Sequence, residues 1–296
     1  MSSVQDLKRR VRSVRNTRKI TKAMELVASA RLRRAQTRIE AMRPYAETMR
    51  ELIAGVGRSS SSVRSLPLLQ QRDEVKTVAI LPLTGDRGLA GPFNAQILRR
   101  AFGLERELRG EGASVRFVAV GKKGRSTLAF RHYEVAAEFT GFTDCPAYAD
   151  AQAIAHRVAE LYTEGEVDRV VLLYNAYVSP LVQRVTEQDV LPISADILET
   201  DDQERRDDAM RGDFIFEPEP EEILERLLPV YLETQVYRAL LESAASEQGA
   251  RMTAMRNASK NAGELIDTLT LQMNRARQAE ITQEILEVVG GAEALS

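Results

Sequence analysis

Apolar residues recur at spacings of three and four along two very long stretches, one near each end of the chain. The first opens Val4, Leu7, Val11, Val14 and continues through Ile20, Met24, Val27, Leu32, Ala35, Ile39, Met42, Met49 and Leu52. The second passes through Leu224, Leu228, Tyr231, Leu240, Met252, Met255, Leu265, Leu269, Met273, Ile281 and Ile285. Heptad-like spacing sustained this far predicts two helices that pair as a left-handed coiled coil. Nearly seventy residues at ~1.5 Å each reach roughly 100 Å, whereas ordinary globular helices average about twelve residues, so the two need each other or a partner. They flank a single intervening segment, so the simplest closure is antiparallel. Such a pair transmits force or position rather than performing chemistry.

The intervening segment changes period. Val75–Leu83 reads as a buried strand, followed by the turn Thr84-Gly85-Asp86-Arg87-Gly88-Leu89-Ala90-Gly91-Pro92 and a helix to about Leu108. Strands are predicted at Ser114–Val120 and Tyr133–Phe139, with a short helix through Phe130 between them. A helix over Ala147–Tyr162 precedes strands at Val167–Tyr174 and Val178–Val190, read as a hairpin. Alternating strands and helices imply an α/β unit with a mainly parallel sheet and an antiparallel edge. Ser3 with Asp6 three residues on is a capping signature for the first helix. Pro44 predicts a kink, residues 58–73 read as a mobile linker, the acidic stretch 196–222 as an exposed loop, and Gly290-Gly291 as a helix stop.

Composition refines this picture. Aromatics make up only 5% and Trp is absent, which suits narrow helix–helix seams. Cys145 is the only cysteine, so no intramolecular disulfide is possible, in keeping with a reducing compartment. No apolar run approaches the ~20 residues that span a bilayer, and the N-terminus reads as a charged amphipathic helix rather than a signal peptide; membrane contact is expected only through partners. The net charge of −2 hides a strong asymmetry. Residues 1–40 carry twelve Lys and Arg against Asp6, Glu25 and Glu40, a balance of +9, and residues 195–225 carry thirteen acids against three Arg, a balance of −10.

Candidate chemistry is sparse. The Gly85–Gly91 turn stands between strand and helix, where phosphates often bind. Yet it matches neither G-x-G-x-x-G nor a P-loop, which favours a structural or partner-contacting turn over an enzyme's nucleotide site. Gly121-Lys122-Lys123-Gly124 is read as a solvated turn. His132 and His156 show no metal-ligand spacing with Cys145 or with acids. A cationic coil that binds nucleic acid is a further reading, weakened by the lack of aromatics among the basic residues; no nucleic acid, cofactor or metal is expected.

Three segments carry a family resemblance. Ile20-Thr21-Lys22-Ala23-Met24-Glu25-Leu26-Val27-Ala28 with Leu32-Arg33-Arg34-Ala35-Gln36, the Thr84–Gly91 turn, and Ala245–Met252 with Asn274–Ile285 resemble the signatures of the F-type ATP synthase gamma subunit, in order and across the whole chain. The resemblance implies a long antiparallel coiled coil of N- and C-terminal helices with an inserted Rossmann-like α/β domain. The expected domains are 1–57 and 219–296 for the coil and 74–215 for the α/β domain. It further implies the rotor of the enzyme, turning within an alpha3beta3 ring and resting with the epsilon subunit on a membrane c-ring. This chain would carry no catalytic residues, and would lie peripherally on the cytoplasmic face of a bacterial plasma membrane. Ring contacts are implied at Lys19, Lys22, Met24, Arg87, Leu89, Arg251, Arg277, Gln278, Thr282, Ile285 and Leu286, with an apolar tip from Ile285 to Leu295. The paired-cysteine regulatory insert of chloroplast relatives is absent, and Ala90 stands where many relatives have Cys.

Overall fold

A computed structural model describes residues 3–57, 66–198 and 219–293. Two compact units emerge, residues 30–250 and residues 1–29 with 251–296. The first helix, α1 (Val4–Gly57), and the last, α5 (Pro220–Glu293), contribute to both.

The 30–250 unit is built on a five-stranded sheet. Its elements run β1 (Thr77–Pro82), α2 (Phe93–Gly110), β2 (Ser114–Val120), α3 (Lys122–Phe130), β3 (Val135–Phe139), α4 (Tyr148–Thr163), β4 (Arg169–Tyr177) and β5 (Gln183–Leu191), then a short 3-10 turn at Ala195–Leu198. The strand order is β3-β2-β1-β4-β5. Every pairing is parallel except β4 with β5, the antiparallel edge that the pattern predicts. Strand side chains alternate between faces, so neighbouring residues enter different cores. Val78, Ile80, Phe117, Ala119, Val171 and Leu173 pack against α2 and α3. On the other face Ala79, Leu81, Val118, Val120, Val170 and Leu172 pack against α4, the end of α1 (Met49, Ile53, Val56) and the start of α5 (Leu224 to Leu240). Both faces are therefore covered, as a parallel sheet requires.

The strand edges differ from the sequence reading. Val75 is exposed, and β1 begins at Thr77, where the Asp168 carboxylate accepts the Lys76 and Thr77 amides at 2.8 and 2.9 Å. β3 begins at Val135 rather than Tyr133, and β5 at Gln183 rather than Val178, because Ser179 and Val182 exchange backbone hydrogen bonds and turn the chain there. Within the expected linker, Leu68 and Leu69 are buried and the Leu68 carbonyl accepts the Ile193 amide at 2.8 Å, so these two leucines belong to the core, with Leu66 packed against it. Residues 58–65, and the acidic run between 199 and 218, lie outside the described residues. Pro44 sits inside α1, which continues past it. The expected stop at Gly290-Gly291 is not one, since α5 runs on to Glu293.

The 1–29 and 251–296 unit is an antiparallel helix pair. Gly263 lies beside the Arg18 side chain and Arg256 meets Glu25, so seven residues forward on α1 correspond to seven back on α5. Leu7 and Val11 pack with Ile266 and Leu269, flanked by Val14, Met273 and Ala276. The Ser3 hydroxyl accepts the Asp6 amide at 3.2 Å, completing the predicted cap.

The seam itself departs from the sequence reading. Apart from exposed Arg18, a stripe of buried or half-buried α1 residues runs 7, 11, 14, 21, 25, 28, 32, 35, 39, 42, 46, 49, 53, 56, in strict alternation of four and three. Thr21, Glu25 and Ala28 therefore occupy the seam, while Ile20 is 60% exposed, Val27 54% and Leu52 51%. On α5 the seam takes Ile266 rather than Leu265, and beyond Ala276 every described side chain to residue 289 is exposed, including Ile281 and Ile285.

Candidate functional site

The Thr84–Gly91 turn lies at the carboxyl ends of the parallel strands, where the strand order reverses between β1 and β4. Open α/β sheets bind ligands at that place. Here the chain fills it. Gly85 is buried, and a Cβ added to it would lie 2.7 Å from a Glu247 carboxylate oxygen on α5. Ser246 beside it donates to the Asn175 carbonyl of β4 at 2.8 Å, and Ala90 and Phe93 pack on Ala250. The amides at the α3 N-terminus are also taken. Lys122 donates to Asp86 Oδ1 at 3.0 Å, Lys123 to the Gly85 carbonyl at 3.1 Å, and Gly124 to Thr84 Oγ1 at 2.8 Å. A phosphate at the strand ends would find a carboxylate and spent backbone donors, so those amides form no nucleotide cradle.

Asp86 is the knot of this region. Its carboxylate accepts the amides of Lys122, Gly141 (2.8 Å) and Thr143 (3.1 Å) and the Thr143 hydroxyl (3.0 Å). It thereby ties the turns that follow β1, β2 and β3. Burial alone would raise its pKa, but these hydrogen bonds outweigh it and hold the group below the ordinary carboxylate value. Gly121, with φ +89°, lies so close that a Cβ there would sit 2.1 Å from the Thr84 carbonyl oxygen.

The residues singled out in the sequence divide between the two units. In the 30–250 unit, Arg87 is exposed and pairs with Asp144 at 3.3 Å. Leu89 is 65% exposed at φ 63°. A leucine held in the left-handed region with its side chain outward is strained and poorly covered. In the helix pair, Lys19 is exposed and Met24 half-buried. Lys22 is exposed but not free, since its ammonium lies 3.0 Å from Glu25. Glu25, only 7% exposed, also accepts Arg256 at 3.1 Å. The Lys22 hydrogen bond first, then that of Arg256, lowers its pKa against the opposing effect of burial. Arg277, Gln278, Thr282, Ile285 and Leu286 are all exposed on the unpaired end of α5. Arg251 is the exception, buried at 6% exposure.

Sequence reasoning missed Asp86 as a tie, and it missed Thr21, Glu25 and Arg256 as a polar layer in the seam. Strict heptad counting from Leu7 reaches Thr21 and Glu25. The partners of Asp86 leave no local signal. Among the described residues no group of three or more His, Cys, Asp or Glu could hold a metal ion, and no helix is long and apolar enough to cross a membrane.

Comparison with known proteins agrees with this geometry. A family model described as ATP synthase matches residues 3–295. The ATP synthase gamma chain of Rubrobacter xylanophilus is 46% identical over 100% of this chain and 99% of its own length. That of Desulfitobacterium hafniense is 47% identical over the full length of both. Among solved structures, the central stalk and c-ring of the Tetrahymena thermophila mitochondrial ATP synthase aligns with a TM-score of 0.60 at 28% identity, covering 81% of this chain and 99% of that one. A chain of the Euglena gracilis mitochondrial ATP synthase aligns with a TM-score of 0.68 over 99% of this chain and 94% of its own, and at 19% identity supports the fold alone.

Proposed function

The chain belongs to the ATP synthase gamma-chain family, and from that membership we propose how its own residues serve the complex. It is the central-stalk rotor subunit, coupling ion flow through the membrane part of the enzyme to ATP synthesis and hydrolysis. In our reading it turns within an alpha3beta3 ring and rests with an epsilon subunit on the c-ring, as a peripheral protein at the cytoplasmic face of a bacterial plasma membrane. ATP and its metal are handled by the ring, and this chain supplies no catalytic group.

One observation carries the assignment of contacts. In the helix pair the buried apolar contacts form a narrow seam, which ends on α5 near Ala276. What lies outside it is a charged face at Lys19 and Lys22, and a single helix end carrying Arg277, Gln278, Thr282, Ile285 and Leu286. A rotor contact must push and then release. Exposed ion pairs contribute about 0–1 kcal/mol each, so an acidic ring segment can borrow Lys22 from Glu25 and return it. The end of α5 has no such cover and fits a surrounding apolar bearing. Arg251, expected among the contacts, is buried at 6% exposure and so lies apart from these exposed residues.

The test is co-expression with the cognate alpha and beta subunits, followed by ATPase measurement and observation of a bead fixed to the 30–250 unit. Stepwise ATP-driven rotation is expected. Lys22→Glu and Met24→Lys should impair coupling of hydrolysis to ion pumping more than they impair assembly. Coupling unchanged in both variants removes this face from the drive.

A further inference from the structure

A groove within the 30–250 unit concentrates positive charge, of which the rotor reading gives a role to Arg87 alone. It encloses about 780 Å³ between α1, the Thr84–Gly91 turn and the loop that follows β3. Arg31, Arg34 and Arg38 line one wall. Spaced three and four apart, they share one helix face and span about 10 Å along the axis. Arg87 and Lys122 face the same space from the other side.

The charges do not balance. Asp86 and Asp144 are the carboxylates that line the groove against these five cations. Asp86 is already engaged by backbone amides and Thr143. Asp144 serves Arg31 at 2.9 Å, Arg87 at 3.3 Å and the Gln248 amide at 3.3 Å. Among the described residues Arg38 meets the neutral Cys145 Sγ at 3.1 Å and the Pro146 carbonyl at 3.4 Å. Among the described residues Arg34 and Lys122 have no carboxylate partner. Cations crowded in a concave site repel one another unless an anion joins them.

We propose that this groove is a binding site for a phosphate-chain anion, a linear tri- or longer phosphate carried either by a nucleotide or by inorganic polyphosphate. Guanidinium forks match phosphate oxygens two at a time. A triphosphate places several charges within the reach of this arginine row, whereas carboxylates on one side of an extended peptide stand about 7 Å apart. The volume lies in the range of small-molecule sites, about 300–1,000 Å³. The ligand rests on side chains alone, because the α3 amides are spent, and so differs from a nucleotide held at the strand ends. It would fasten residues 31–38 of α1 to the loop after β3.

Cys145 on the groove wall is the only cysteine and is exposed, which provides a local readout. The full chain, kept dilute to suppress self-association, is alkylated with uncharged N-ethylmaleimide with and without tripolyphosphate, and tripolyphosphate binding is measured separately by calorimetry. Tripolyphosphate should slow alkylation at least about fivefold, and Arg34→Glu with Arg38→Glu should weaken binding at least about tenfold. Arg157→Glu with Arg226→Glu changes the net charge equally outside the groove and should weaken it less than about twofold. Binding should also fall as salt is raised. ATP protecting as well as tripolyphosphate assigns the nucleotide as source; protection by tripolyphosphate and long polyphosphate but not ATP assigns the inorganic chain. No slowing of alkylation in the unmodified chain overturns the site, and that result needs no variant to fold. Equal weakening in the two variants also overturns it, as does an oligoglutamate peptide protecting Cys145 at lower concentration than tripolyphosphate. Each outcome is independent of whether the assembled complex rotates.

Discussion

A single carboxylate, Asp86, closes the end of the sheet. Its acceptor bonds reach Lys122, Gly141 and Thr143, which lie 36, 55 and 57 residues away in sequence. No reading of the Thr84–Gly91 turn by itself could show this, because spacing reports local structure and these partners are brought together only by the sheet. The turn's position between strand and helix was legible; its occupation by Glu247 was not. Asp86→Ala leaves three backbone amides without their acceptor, of which only that of Thr143 belongs to a buried residue, and is expected to cost about 1–3 kcal/mol, read by chemical denaturation. The pH dependence follows from the lowered pKa. A carboxylate whose folded pKa lies below its unfolded value contributes stability fully above the unfolded value, about 4, and loses it as pH falls through the folded one. The unmodified chain should therefore lose stability on acidification below about pH 4, and Asp86→Ala should flatten part of that loss. An acid limb of the same steepness in both proteins refutes the assignment. Gly121→Ala is expected to be at least as damaging, since its φ of +89° and the Thr84 carbonyl at 2.1 Å leave a Cβ no place.

For the helices, periodicity was legible and register was not. The apolar letters at Ile20, Val27 and Leu265 drew the expected seam one position away from the stripe that is buried. The chain keeps its heptads and accepts polar residues at the seam: Thr21 and Glu25 are buried at 8% and 7%, with Arg256 and Lys22 closing over the carboxylate. Such a layer gives up apolar contact and gains register, as a polar seam residue does in coiled coils. Two variants separate those effects. Glu25→Gln keeps the shape and removes the charge. It is expected to cost about 1–2 kcal/mol rather than the ~3–5 kcal/mol of a fully buried broken pair, because the Arg256 and Lys22 side chains are each 59% exposed and stay hydrated. Thr21→Val with Glu25→Leu makes the seam continuous and is expected to stabilise the helix pair by about 1–3 kcal/mol, seen as a higher unfolding temperature. A double variant less stable than Glu25→Gln shows that the polar layer stabilises more than the apolar contact it displaces. Whether a stiffer, stickier seam still releases its partners is read in the coupling assay.

At the scale of the molecule, the question is what the chain leaves uncovered. The helix pairing, the insertion of an α/β unit and the parallel sheet with one antiparallel edge all follow from sequence periods of 3.5 and 2. The end of the pairing does not, because Ile281 and Ile285 continue the apolar spacing after α1 has no more residues to offer. From residue 277 to 289, α5 exposes Ile281, Ile285, Leu286, Val288 and Val289, between 47% and 73%. An isolated helix of this length is marginal in water, and an apolar patch of this kind on a free protein marks an interaction surface. The chain alone is therefore expected to self-associate through this end. Ile285→Ser with Leu286→Ser should shift the isolated chain toward monomer in sedimentation at tens of micromolar, with the 30–250 unit unchanged in its unfolding. In the assembled complex the same pair should hasten loss of this chain from the ring, since the apolar grip is then missing. If the unmodified chain is already monomeric, or the serine pair leaves both association and retention unchanged, the end of α5 is not held by apolar contact. The exposed Arg277, Gln278 and Thr282 would then have to carry that end of the rotor through hydrogen bonds.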